Sequence, residues 1–488
     1  MNRTFARPRA RLGAATVIAA ALSAGTVTAQ PFEDVFGRKD TVEQGARRVT
    51  PLRACGEGFV AVGTTAASPT PTDVYLVVTR TDGSPLWEMR YDLYSGGIER
   101  GAALAELTDG SGFVITGTTR RNSLTRPHVF LLKVRCDGKP LWARAYESGG
   151  SEQGFDVVEA QTGDAAFGTS RGDLLVAGAA TTVHGRDALL FRTRADGSLL
   201  WNFAYDHDGW SEQFRALTEA KGSSAGTGTG DVVAAGIAQK GGSPFMGYAL
   251  RVNGNNGSYA FSPHNAVVYP NADPHLFESV VELRQGAFGG HLAFAGSANN
   301  AATSNDVTLL RTGADPSILL AGIRIGDTAA TPLGVESALD LHEVVNPLSI
   351  AGPGDIAVTG RVGSTAGDQD AFLLIADPNS LKPSAVGHIY GDHDKRRDWG
   401  VSVSDHPRGF VIAGTSESDF ELASDPSDLY LIGPDDNGKT GCSKDWQPPY
   451  DSFKPDAVRI DPRQEPAIDD PFVDVKFERL SDPFVNCP

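Results

Sequence analysis

Apolar and small residues fall along this chain in blocks that return at a regular interval. Each block ends on a small residue and a Gly, at Val62-Gly63, Thr116-Gly117, Ala177-Gly178, Ala235-Gly236, Ala295-Gly296, Thr359-Gly360 and Ala413-Gly414, spaced 54, 61, 58, 60, 64 and 54 residues apart. Near-continuous apolar runs follow at Asp73–Val77, His128–Leu132, Asp187–Phe191, Asp306–Leu310, Asp370–Leu374 and Asp428–Ile432, with Phe245–Leu250 as a degenerate copy. Runs of this length without alternation fit strands covered on both faces. The turns Asp82-Gly83, Asp137-Gly138 and Asp196-Gly197 come next, where Gly or Asp can take the positive φ of a two-residue hairpin.

Each turn leads into Leu-Trp, at Trp87, Trp142 and Trp201, and a Tyr stands four residues later, at Tyr91, Tyr146 and Tyr205. Side chains alternate along a strand, so each Trp and Tyr share one face. Their recurrence with the repeat marks them as packing between units and not as a ligand platform. An acid opens each next unit, at Glu43, Glu99, Glu152, Glu212, Glu336 and Asp398, with Phe277-Glu278 in the weak fifth unit. Carboxylates that return in every unit are expected to satisfy backbone groups where a strand begins.

Seven such units, each of short strands, predict an all-β fold: a seven-bladed β-propeller with four-stranded blades over residues 30–441. The seventh unit ends without a clean Leu-Trp strand. Phe32 and Phe36 stand four apart at the other end of the chain, so Pro31–Gly37 is expected to supply the outer strand of the last blade and close the ring. The unit E-x-G…G-F-V-x-x-G-T-T…D-x-Y-L…D-G-x-x-L-W-x-x-x-Y resembles the repeats of bacterial secreted β-propellers related to the quinoprotein-like tryptophan-docking class. That resemblance implies the fold; propellers of this kind serve as binding scaffolds, assembly factors and enzymes alike.

Composition and charge narrow the setting. The 56 Gly against 3 Met point to many tight turns and little helix. Residues 1–29 read as a signal peptide: Arg3, Arg7, Arg9 and Arg11, an apolar run from Leu12 to Ala24, and a small-residue cleavage site at Ala29. Its removal takes the formal charge from −17 to −21, because the leader carries four Arg and no acid. A mature chain so acidic is repelled by nucleic acid and anionic membranes. Four cysteines, Cys55, Cys136, Cys442 and Cys487, fit two disulfides in a secreted or periplasmic protein. Three connectivities are open, of which Cys55–Cys136 and Cys442–Cys487 suit the unit boundaries. Residues 442–488, with 8 Pro and one β-like run at Phe472–Phe477, are expected to form an irregular extension packed on the ring.

Candidate chemistry is sparse. Ser170 and Ser224 lie in G-x-S-x-G matches, but neither has the following helix that a nucleophile elbow needs. Arg171-Gly172-Asp173 spells an adhesive tripeptide. The loops Asp206-His207-Asp208 and Asp392-His393-Asp394 hold equivalent places in units three and six, and carboxylates at this spacing suit Ca²⁺, a possible cofactor. Asp419, Asp425 and Asp428 form a further acidic group. The enlarged loops Gln161–Gly172, Glu219–Gly230 and Glu343–Gly354 project from one face, which is the expected binding surface. The leading expectation is a secreted, monomeric, non-enzymatic binding or scaffold protein with a protein or polysaccharide partner. The alternative is a propeller enzyme acting on glycans or using a quinone cofactor. Against it, no D-x-G-x-T-W box is intact, and Asp196 to Trp201 has the wrong spacing.

Overall fold

The computed structural model describes residues 31–486, apart from residues 37–40, 68–71, 123–124, 221–229, 261–265, 270–274, 301–303, 327–335, 364–368, 392–396, 417–427 and 449 and the segments 453–457, 461–462, 466–471, 474–475 and 481–484. Seven antiparallel blades form a ring, a β-propeller. Their innermost strands are Thr41–Pro51, Ile98–Glu106, Glu152–Glu159, Ser211–Ala220, His275–Glu282, Ser337–Glu343 and Asp398–His406. The N-terminal strand Phe32–Phe36 pairs with Asp428–Gly433 and is the fourth strand of the seventh blade, as the spacing of Phe32 and Phe36 led us to expect.

The small residue-Gly signature has a local cause. In every blade the register between the first and second strands slips at one place, for example between Gly154 and Asp156 or between Phe214 and Ala216. This bulge brings an inner-strand carbonyl against the second strand. A Cβ on Gly178 would stand 2.0 Å from the Gln153 carbonyl oxygen, so no residue but Gly fits. In the fifth unit the register places His275 at the position taken elsewhere by the opening acid, and Glu278 is the bulge residue. The expectation that Glu278 opens that strand is therefore corrected.

The recurrent aromatics do join blades. The Tyr91, Tyr146 and Tyr205 hydroxyls donate to the carbonyls of Gly138, Gly197 and Gly257, the turn glycines of the following blades, at 2.7, 2.7 and 2.9 Å. Tyr390 does the same to Gly438 at 2.6 Å. The Trp of the same strand lies over that turn: a Cβ on Gly197, whose φ is +82°, would meet the Trp142 ring at 3.0 Å. At the closure Phe32 takes the place of the Trp and lies over Gly83.

The C-terminal extension is far more regular than its composition suggested. Lys444–Trp446 pairs with the outer strand of the sixth blade, Tyr450–Ser452 with the fifth and Val458–Ile460 with the fourth. Arg463–Glu465, Phe472–Val473, Lys476–Leu480 and Val485–Asn486 continue to the third, second, first and seventh. Each blade thereby gains a fifth strand, and the extension circles the ring as a belt. Strands of two to five residues are too short for a two-residue periodicity to show in sequence. The prolines of residues 442–488 all fall outside its strands.

Cys55 and Cys136 form a disulfide that ties the first blade to the second, with their Cα atoms 5.3 Å apart. Cys442 is also disulfide-bonded, and Cys487, its expected partner, lies outside the described residues. Among the described residues no helix is long and apolar enough to cross a membrane.

Truncation after Gly441, or deletion of residues 31–36, exposes strand edges that the native chain covers. Both variants are expected to melt well below the parent and to self-associate in light scattering; a monomeric truncation with an unchanged melting temperature contradicts the belt's role.

Candidate functional site

The innermost strands enclose a central channel, and the position just past the bulge faces it in every blade. Those seven residues are Arg48, Ala103, Asp156, Ala216, Ser279, Asp340 and Ser402. The three charged members meet across the axis. A guanidinium nitrogen of Arg48 lies 2.6 Å from Asp156 and another 3.6 Å from Asp340. The Ser279 hydroxyl and the Val403 N–H donate to Asp340 at 2.7 and 3.1 Å, and the Leu217 N–H to Asp156 at 3.0 Å. Desolvation alone would lower the pKa of Arg48; the two carboxylates outweigh it and raise it. This lock bars the channel at mid-height.

On one side of the lock the channel widens into a funnel of about 420 Å³. Its rim is the face of the enlarged loops. Carboxylates at the ends of the inner strands clasp the loops of the preceding blade. Glu106 accepts from the N–H groups of Arg53, Ala54 and Cys55, Glu219 from those of Gln161 and Thr162, and Glu343 from those of Arg284 and Gln285. Asp405 accepts from the Val345 and Asn346 N–H groups and from His342 at 2.6 Å. Burial alone would raise the pKa of Asp405, but His342 and Asn346 overcome it and hold it down at about 2. The loops Gln161–Gly172 and Glu343–Gly354 are therefore fastened down, while residues 221–229 of the third loop lie outside the described residues.

The other mouth is cationic. Arg47, Arg100, Arg186, Arg215, Arg361 and Arg397 gather there, and among the described residues the carboxylate that meets this set is Glu278, 3.8 Å from Arg215. Arg47 keeps solvent contact, yet desolvation within the channel, then Arg215 and Arg100, pull its pKa down. Desolvation first and a neighbouring guanidinium second do the same to Arg186 and Arg361. Gln153 and Gln213 hold Arg186 in place, and Arg215 stacks over the Phe155 ring at 5.2 Å. The buried Nε groups of Arg215 and Arg361 have no hydrogen-bond acceptor. Guanidinium groups with unused donors have the hydrogen-bond geometry that carboxylate and phosphate oxygens accept.

Of the residues expected to hold metal, Asp206 is buried, while Asp208 is exposed at φ +50° in the turn beyond it. Asp208 is outside the group of three carboxylates that contains Asp206. Asp206 instead joins Asp187 and Glu212, their carboxylate oxygens within 4.8 Å of one another. Asp392 and Asp394 lie outside the described residues, as do Asp419, Asp425 and Ser224. Ser170 sits in a loop where its N–H donates to Asp173. Asp173 itself is buried and paired with Arg192 at 3.0 Å, which removes the Arg171-Gly172-Asp173 tripeptide as an exposed motif. Sequence reasoning missed the lock and the arginine mouth. The available signal was a charged residue at an inner-strand position that is small in other units, as at Arg48, Asp156 and Asp340.

No protein-family model matches the chain, and no curated protein matches it. The site therefore stands on its own geometry.

Two outcomes follow from the lock and the clasps. Arg48→Leu leaves Asp156 and Asp340 without their counter-charge and is expected to cost on the order of 3 kcal/mol in urea unfolding. Replacing both aspartates by Ala in the same variant should recover much of that loss. The folded-state pKa of Asp405 lies below its unfolded value, so its clasp stabilises the fold above about pH 4 and is lost as pH falls through about 2. Asp405→Asn should flatten the acid limb of stability against pH in that window, and an unchanged limb contradicts the assignment.

Proposed function

We propose that this is a secreted, non-enzymatic binding protein that takes the anionic group of its ligand into the arginine mouth of the propeller channel. The observation that carries the reading is the cationic crowding in an otherwise acidic chain. Six arginines face Glu278 at one mouth, while the chain as a whole carries a formal charge of −17. Holding like charges together costs free energy that a carboxylate or sulfate would relieve. The donors left without acceptors on Arg215 and Arg361 suit the oxygens of such a group. The surrounding negative charge favours a ligand that presents one anionic end and turns away a polyanion such as nucleic acid.

This places the ligand on the face opposite the enlarged loops. Those loops spend their backbone donors on the carboxylate clasps, whereas the arginine mouth has donors to spare. Secretion draws support from the leader-like residues 1–29 and from the Cys55–Cys136 disulfide, which suits an oxidising compartment. The likeness of the repeat to secreted tryptophan-docking propellers points the same way.

The test is calorimetric titration with an otherwise neutral oligosaccharide that ends in a single galacturonate and, separately, a short, otherwise neutral peptide that carries one glutamate, at low and high salt. Binding of either that weakens with salt and falls at least about tenfold in Arg47→Gln/Arg215→Gln supports the reading. No binding of either, or equal binding by the variant, overturns it.

A further inference from the structure

The junction between the third and fourth blades holds three buried carboxylates, Asp187, Asp206 and Glu212. They come from three fixed places in the repeat: the first acid of the third strand, the residue after the outer-strand Tyr, and the acid that opens the next inner strand. The same slot recurs around the ring, and at three other junctions the chain places a cation in it. Between the second and third blades His128 replaces the first acid and lies 2.9 Å from Glu152 and 3.3 Å from Glu147. Between the first and second, Asp73, Asp92 and Glu99 meet Arg90, 3.2 Å from Asp73. Asp306 of the fifth blade has Arg324 at 3.8 Å. Arg90 and Arg324 both stand one residue before the end of the outer-strand face, and in the third blade that position is Ala204.

In the third-blade slot the place of Arg90 and Arg324 is taken by Ala204, so that position supplies no cation to Asp206 and Glu212. Glu212 is completely buried, and neither of its carboxylate oxygens has a hydrogen bond of acceptable geometry, although the His207 N–H lies near enough to moderate its charge. Asp206 is 2% exposed; one of its oxygens accepts from the Gly209 N–H at 2.8 Å and the other has no partner. Neither residue forms an ion pair among the described residues. Asp187 accepts from the Thr182 hydroxyl. Burial, then Asp187 and Asp206, push the pKa of Glu212 up to about 9, which is the electrostatic strain that a bound cation removes.

We propose that Asp187, Asp206 and Glu212 form a calcium site that supplies the cation three other junctions carry as a side chain. Three carboxylates offer up to six oxygens, the hard donor set that Ca²⁺ takes, and both their number and their charge suit a divalent ion. The ion fixes the junction from which Arg186 and Gln213, the sequence neighbours of Asp187 and Glu212, reach the channel mouth. The site stands independently of the ligand assigned to that mouth.

The test is thermal unfolding of the full chain in millimolar CaCl₂ and in EGTA, with calcium titration by calorimetry. A higher melting temperature in calcium is expected, with about one ion bound per chain. Both effects should vanish in Asp206→Asn and in Glu212→Gln, which keep the side-chain shapes. Ala204→Arg, which restores the guanidinium found at Arg90 and Arg324, should melt at the same temperature in calcium and in EGTA. No calcium heat in the parent, or a calcium response that survives in both Asp206→Asn and Glu212→Gln, overturns the site. The parent's calorimetry decides the matter even where a variant fails to fold.

Discussion

At the first three junctions the ring rests on one repeated contact: an aromatic pair on the outer strand of one blade grips the hairpin turn of the next. A lone four-stranded sheet leaves two faces to cover, and here the cover comes from the adjoining blades. The Tyr hydroxyl reaches the turn carbonyl, as Tyr205 reaches Gly257, and the indole lies over a Gly whose positive φ brings the backbone close. Both halves of the contact are needed. A larger turn residue would lift the indole away, and a Phe in the Tyr position would leave a buried carbonyl unpaired.

A ring built this way has two ends to hide. Phe32–Phe36 takes the outer-strand place in the seventh blade, so the chain leaving Asp428–Gly433 finds that place filled. It is displaced outward and pairs first with the sixth blade. From there it continues backward around the circumference, covering each outer edge in turn until it reaches the N-terminal strand. The belt and the closing strand are thus linked consequences of one strand substitution. Together they leave each blade edge paired, which is how an antiparallel fold avoids association with its own copies.

Charge inside the channel follows a different logic. The positions past the bulge are equivalent by geometry but not by residue, and where the repeat abandons Ala and Ser for Arg48, Asp156 and Asp340 it builds a lock across the axis. The lock separates a funnel whose rim is clasped by its own carboxylates from a mouth whose arginines face one another. A ring of near-identical units thereby acquires two unlike faces. The acidic slots between blades show the same divergence, with His128, Arg90 and Arg324 as internal counter-ions and Ala204 at the place of Arg90 and Arg324 in the third blade.

Much of this was legible in the chain. The seven small residue-Gly markers gave the blade count, because the bulge admits only Gly opposite it, and the four-residue spacing of Phe32 and Phe36 gave the closure. Sequence spacing groups Asp206 with Asp208, its neighbour along the chain. The carboxylates that group with Asp206 in space, Asp187 and Glu212, come from a different strand and from the next blade. The belt was illegible because its strands are too short for periodicity, and the edges that pair with them exist only once the blades have formed. Local pattern alone determined the repeat, its turns and the ring. Which charges meet across the axis or between blades depends on contacts spanning on the order of a hundred residues, such as Arg48 with Asp156, and only the closed ring brings those together.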